Sequence, residues 1–214
     1  MVRAWSVALM VLMAPMPSTA AAAPEFIGKV EPISEALQGR MRGVSFHEGC
    51  PVPFEELRLL TLSYIDPTGA AQQGELVVNR AVAQEMVDIF RELFEARFPI
   101  EKMQLVLEYK GSDDASCAAN NTSAFNCRKV TGSTASWSNH ALGRAIDINP
   151  LWNPYVKKDL IVPPKGSEYL DRKAHRPGMI QRDDAVIKAF KSRGWKWGGD
   201  WRRLKDYQHF EKKK

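Results

Sequence analysis

From residue 57 to residue 97 the chain spells out a hairpin followed by an amphipathic helix, and this succession narrows the folds open to it. Leu57–Ile65 reads as a strand, Asp66-Pro67-Thr68-Gly69 as a turn, and residues 74–78 as the returning strand. Asn79 then caps a predicted helix over residues 80–97, in which Val82, Met86, Ile89, Phe90, Leu93 and Phe94 recur at helical spacing. That apolar stripe is a core face, and Pro99 stops the helix. Residues 103–109 read as another strand. Residues 111–137, rich in Ser, Asn, Asp, Ala and Thr, read as a long loop, and residues 145–149 as a short strand. Residues 152–177 look irregular, with four prolines. A helix opens at Asp183 and closes at Gly194, an aromatic turn covers residues 195–201, and residues 207–210 form a last strand. The expected class is α+β, with helices packed on a small antiparallel sheet.

The 214 residues are 44% hydrophobic and 26% charged, a globular composition long enough for one domain of ordinary size. The formal charge of +5 suits an anionic partner, whether nucleic acid, lipid or wall polymer, or none at all. No helix-turn-helix pattern or RNA-binding signature is present, so nucleic acid is not expected as a partner. At the N-terminus Arg3 precedes the apolar residues 4–14, Pro15 and Pro17 break the run, and small residues occupy positions 20–23. This reads as a secretory signal, residues 1–23, cut near Ala22 or Ala23; the apolar run is shorter than the roughly 20 residues a bilayer span needs. Residues 24–47 are expected to form an exposed N-terminal extension that packs along the domain, and residues 48–214 the main domain. No integral span is expected after cleavage, and the mature chain is expected to be a periplasmic or extracellular monomer. In such an oxidising compartment a disulfide is plausible among Cys50, Cys117 and Cys127, with one thiol left over.

Candidate chemistry gathers in two places. In Ser138-Asn139-His140-Ala141-Leu142-Gly143-Arg144-Ala145-Ile146-Asp147, Gly143 allows a tight turn and Ala145 leaves room for an imidazole and a carboxylate to converge. In Asp206-Tyr207-Gln208-His209-Phe210, Phe210 points to the core and His209 to the opposite face. His140, Asp147 and His209 thus form a candidate zinc set. Three protein donors and an open position mark a catalytic site, with a formal charge of about +1 and water acidified to a pKa of roughly 7. The bland alternative is a buried His/Asp pair that satisfies itself. A serine hydrolase built on Ser138 and His140 lacks a nucleophile elbow.

The Ser-x-His-x-x-Gly-x-Ala-x-Asp pattern from Ser138 to Asp147 resembles the signature of VanY-like zinc D-alanyl-D-alanine carboxypeptidases. Gly194-Trp195-Lys196-Trp197-Gly198-Gly199-Asp200-Trp201, followed by Asp206 to Glu211, resembles their L-alanyl-D-glutamate peptidase branch, which includes phage endolysins. The resemblance runs from about Cys50 to Glu211. It implies His140, Asp147 and His209 as Zn2+ ligands and Asp206 as general base, where many relatives carry Glu. Asn126-Cys127-Arg128 resembles the segment that supplies an arginine in this family; Arg128 stabilises an oxyanion or is a surface loop arginine. The implied fold is the hedgehog/D-Ala-D-Ala peptidase type, whose antiparallel sheet carries the zinc. Relatives also pair cysteines at places resembling Cys50 and Cys127; a local Cys117–Cys127 bridge is the alternative. Ser138 supports the site or merely closes a turn. Asp200 orients His209, binds a substrate amine or caps a loop. Trp197 and Trp201 line a groove or anchor the core. His47 and His175 have no partner pattern. The expected function is an exported zinc metallopeptidase acting on peptidoglycan stem peptides as a D-Ala-D-Ala carboxypeptidase. The alternatives are an L-Ala-D-Glu endopeptidase on the same site, or a non-catalytic, zinc-retaining wall-binding module.

Overall fold

A computed structural model describes residues 24–213; the expected leader, residues 1–23, lies outside them. In chain order come β1 (Gly28–Pro32), α1 (Glu35–Met41), β2 (Leu57–Ile65), β3 (Ala71–Asn79), α2 (Ala83–Glu95), β4 (Lys102–Met103), α3 (Asp113–Ala118) and β5 (Asn121–Thr122). The second half holds β6 (Ala145–Asp147), β7 (Tyr155–Lys157), β8 (Leu160–Val162), α4 (Ala185–Lys191), β9 (Lys196–Trp197), β10 (Lys205–Asp206) and β11 (His209–Glu211). Three small antiparallel sheets result, ordered β1-β2-β3, β6-β11-β9 and β10-β7-β8, together with a parallel β4-β5 pair. Mixed helices and small antiparallel sheets agree with the expected α+β class.

The hairpin β2–β3 runs in unbroken register from Leu57↔Asn79 to Ile65↔Ala71. Asp66 builds its turn, its Oδ1 accepting the Thr68 and Ala70 N–H groups at 2.8 and 3.0 Å. Helix α2 buries Met86, Ile89, Phe90 and Leu93 against Leu60, Leu62, Leu76 and Val78 of the hairpin. The same core takes in Ile146 of β6, Phe190 of α4, Trp195, Trp197 of β9 and Phe210 of β11. One apolar interior therefore supports both the hairpin and the sheet that carries His209. No helix among the described residues is long and apolar enough to cross a membrane.

Several segments are more regular than expected or differ from expectation. Within residues 24–47, β1 joins the sheet as a strand beside β2, and α1 buries Leu37 and Met41 in a second apolar cluster with Phe54, Leu57 and Phe125. Of residues 103–109 only Met103 is in a strand, the two-residue β4. Asn121 ends the ladder at Gln104: its Oδ1 accepts the Gln104 N–H at 2.9 Å and its Nδ2 donates to the Gln104 carbonyl at 3.0 Å. The chain then closes into a 3-10 turn, Val106–Tyr109, with Lys110 left-handed at φ 55°. The predicted loop over 111–137 contains α3 and β5, because Ser112 caps α3 by accepting the Ala115 N–H at 3.2 Å. The irregular stretch 152–177 contains the β7–β8 hairpin. Helix α4 is capped by Asp184, not Asp183: Asp184 Oδ1 accepts the Ile187 N–H at 3.0 Å.

Cys50 and Cys127 form a disulfide with a Cα–Cα distance of 5.9 Å, and Cys117 is a buried free thiol. Asn79 does two jobs at the end of β3. Its side-chain oxygen accepts the Ala81 N–H at 3.0 Å, starting the turn into α2, and its Nδ2 donates to the Leu142 carbonyl at 3.2 Å. Its backbone N–H reaches the Gly143 carbonyl at 2.7 Å. Gly143 is left-handed at φ +64°, and a Cβ there would lie 2.5 Å from the Asn79 nitrogen. Gly143→Ala is therefore expected to destabilise the protein by at least about 1–2 kcal/mol, from left-handed strain plus the close approach, read as a lowered chemical-denaturation midpoint at unchanged slope.

Candidate metal centre

Strands β6 and β11 pair with His209 opposite Asp147 and Phe210 opposite Ile146. Because side chains alternate along a strand, the Ile146–Phe210 pair fills the core while Asp147 and His209 share the other face. His140 arrives from a 3-10 turn, Asn139–Leu142, that leads into β6. Ser138 starts this turn by accepting the His140 N–H on its Oγ at 3.2 Å, and Gly143 reverses the chain. The three side chains meet: Asp147 Oδ1 is 2.9 Å from His209 Nδ1, Asp147 Oδ2 is 3.1 Å from His140 Nε2, and the two imidazole nitrogens are 3.2 Å apart. All three residues are buried.

This donor set fits a small divalent cation. His140 Nδ1 lies 2.6 Å from the Ala124 carbonyl, so that nitrogen donates and Nε2 carries the lone pair into the cluster. Four donors at about 2.0–2.2 Å around a tetrahedral ion stand about 3.3–3.6 Å apart, close to the spacings here. The electrostatics also call for positive charge. Burial alone would raise the Asp147 carboxyl, but the adjacent His140 and His209 hold it well below the usual carboxylate range. Burial would lower His209, yet hydrogen bonds to Asp147 and Glu211 push it up to about 10. Two imidazoles and a carboxylate form the donor set that zinc accepts, and such an ion would supply in the pocket the charge that protons otherwise bring.

Asp206 lies on β10, where it pairs with Tyr155 of β7. The Gly-Gly turn makes room for it: a Cβ on Gly198 would fall 2.6 Å from the Asp206 carbonyl oxygen. Asp206 is buried, and its Oδ1 has no hydrogen-bond partner within the protein. Desolvation, reinforced by the charge of Asp147 and partly offset by His209 and His140, pushes its carboxyl up to about 7. Asp147, His140, His209 and Asp206 line one cavity of about 390 Å³, shared with Arg128 and Ser138. Arg128 is held by Asp113 at 3.0 Å, and its Nε is buried without a partner.

Two expected site residues lie elsewhere. Asp200 turns away, its oxygens 2.8 Å from Arg182 and 2.7 Å from Lys191, and it does not line the cavity. Trp197 is a core residue that packs near Phe210 and donates its Nε1–H to the Tyr207 carbonyl at 2.8 Å. Trp201 does line the cavity, with its ring centroid 5.5 Å from that of His209. The motifs gave no hint of the Ala124 carbonyl or the Asp113 partner, both of which come from distant chain. Glu211 was legible in principle, since it sits two residues beyond His209 and so on the same strand face.

Residues 131–212 match the family model of the D-alanyl-D-alanine carboxypeptidases. The match supports the VanY-like family. It spans His140, Asp147, Asp206 and His209, and it supports a D-alanyl-D-alanine carboxypeptidase-like peptidase, hence a hydrolase. Arg128 and the Cys50–Cys127 bridge fall outside the stretch that matches the carboxypeptidase family. No solved structure matches the chain.

The raised Asp206 carboxyl sets a pH-dependent prediction for metal-free protein. Between its ordinary ionisation near 3.8 and its folded value of about 7, the unfolded chain holds fewer protons at this site. Stability from Asp206 therefore falls as pH rises through that window and is level above it. Asp206→Asn is expected to gain stability relative to wild type between pH 4 and 7, measured as the difference in denaturation free energy in chelator.

Proposed function

We propose that this chain is an exported zinc metallopeptidase that trims peptidoglycan stem peptides as a D-Ala-D-Ala carboxypeptidase, on a hedgehog/D-Ala-D-Ala peptidase type of fold. The observation that carries the proposal is the meeting of His140, Asp147 and His209 within 2.9–3.2 Å, beside the unpartnered Asp206 Oδ1 in the same cavity. Buried charge without a partner is costly, so this concentration of titratable groups favours a site over a packing solution. Export is supported by the leader-like residues 1–23 and by the Cys50–Cys127 bridge, which suits an oxidising compartment.

Zinc, when bound by His140, Asp147 and His209, supplies Lewis-acid polarisation of a carbonyl and acidifies water. Asp206 Oδ1 is the proton acceptor for the attacking water and then the donor to the leaving amine nitrogen. Its unpartnered oxygen, buried in the same cavity as the ligand set, is free to take and return a proton there. Arg128 sits in the cavity wall with its guanidinium oriented by Asp113, where it stabilises oxyanion charge as the carbonyl is attacked. Trp201 borders the ligand His209 and gives the peptide an apolar wall.

His140→Ala and Asp147→Ala are expected to lose zinc, read by metal analysis after dialysis. Asp206→Ala is expected to retain zinc and lose about 10²–10⁴-fold in kcat, and wild-type turnover by this variant would remove the base assignment. Arg128→Ala is expected to keep zinc and lose about 10²–10³-fold in kcat. Mass spectrometry of defined muropeptides decides the bond: released D-alanine supports the proposal, a freed D-Glu amino terminus makes the enzyme an endopeptidase, and intact muropeptides leave a wall-binding module.

A further inference from the structure

Each metal-binding imidazole has a second ring nitrogen, and the two histidines dispose of it differently. His140 sends Nδ1 to the Ala124 carbonyl at 2.6 Å. His209 turns Nε2 towards Glu211 Oε2 at 3.4 Å. The same oxygen accepts the Asn139 Nδ2–H at 2.6 Å. Glu211 lies on the pocket face of β11, its side chain only 13% exposed, and Asn139 is the neighbour of His140 on the 3-10 turn. One carboxylate oxygen therefore joins the turn that carries the first ligand to the strand that carries the last. The His209–Glu211 separation is long for a hydrogen bond, but the acceptor is held in place from its other side by Asn139.

Taking the zinc site as proposed, we infer that Glu211, locked by Asn139, is the positioning residue for His209. It accepts the Nε2 proton, so Nδ1 is left as the lone pair that faces Asp147 and His140. Without this acceptor the neutral ring is free to carry its proton on Nδ1, the nitrogen 2.9 Å from Asp147 Oδ1, and to rotate out of the cluster. A histidine that offers the wrong nitrogen contributes no ligand. The role differs from that of Asp206: Glu211 acts on the geometry of a ligand and needs no contact with substrate.

The test uses the purified protein and zinc alone, with two readouts that do not depend on turnover. Zinc affinity is measured by competition with a chromogenic chelator. The Nε2–H of His209 is followed by proton–nitrogen correlation in protein with labelled histidine, both metal-free and zinc-loaded. Glu211→Ala is expected to lose about 10–100-fold in zinc affinity and to lose the protected Nε2–H signal. Glu211→Gln, which keeps an oxygen able to accept from both His209 and Asn139, is expected to retain the signal with a smaller loss of affinity. Affinity within about threefold of wild type and an intact signal in Glu211→Ala overturn the inference. If that variant does not fold, Glu211→Gln and Asn139→Ala decide: wild-type affinity in both overturns it, and weakened binding in both supports it. A wild-type chain that binds no zinc overturns the metal reading first, and this inference with it, before any variant is made.

Discussion

The pairing of β6 with β11 is the constraint on which the site depends. Ile146 opposite Phe210 fills the core with two wholly buried side chains. Truncating a buried Phe costs about 3–5 kcal/mol, so the core enforces this register strongly. With the register fixed, Asp147 and His209 have no choice but to face each other on the other side. A slip of β11 by one residue would turn the His209 imidazole into the core and expel Phe210. The candidate metal set is thus held by packing on the opposite face of the sheet.

Two buried carboxylates in one cavity meet opposite fates. Asp147 lies between two imidazoles and stays ionised; Asp206 lies beside the cluster with one oxygen unpartnered, and its proton is held up to about pH 7. Environments that push two acids apart in this way suit them to different tasks, and the proposed function gives Asp147 to the cation and Asp206 to the proton. The separation follows from backbone placement: Asp147 sits on β6, while Asp206 sits on β10, which is hydrogen-bonded to β7 in another sheet.

Support for the site reaches well beyond the stretch from 131 to 212. Asn79, at the end of the first hairpin, holds both the start of α2 and the Leu142–Gly143 turn. Ala124 fixes the ring of His140, and Asp113 on α3 holds Arg128. The Cys50–Cys127 bridge secures the segment from which Arg128 projects. The N-terminal half is therefore the frame that orients the candidate ligands of the C-terminal half.

Local chemistry was legible wherever it repeats or turns within a few residues. The β2–β3 hairpin, the stripe of α2, the left-handed Gly143 and the outward face of His209 all follow from period, turn residues and alternation. Residues 103–109 were misread because the side chain of Asn121, seventeen positions away from Gln104, takes the hydrogen bonds a strand partner would have taken. Asp200, which the sequence left open between a partner of His209, an amine binder and a loop cap, is drawn outward by Arg182 and Lys191. By itself the chain determined which side chains can donate to a cation, since that is a property of residue type and local spacing. Only the tertiary structure decided that they converge, that Asp206 Oδ1 is left without a partner and that Glu211 stands behind His209. Those outcomes depend on which distant segments share one pocket, and burial and distance exist only once the core has closed.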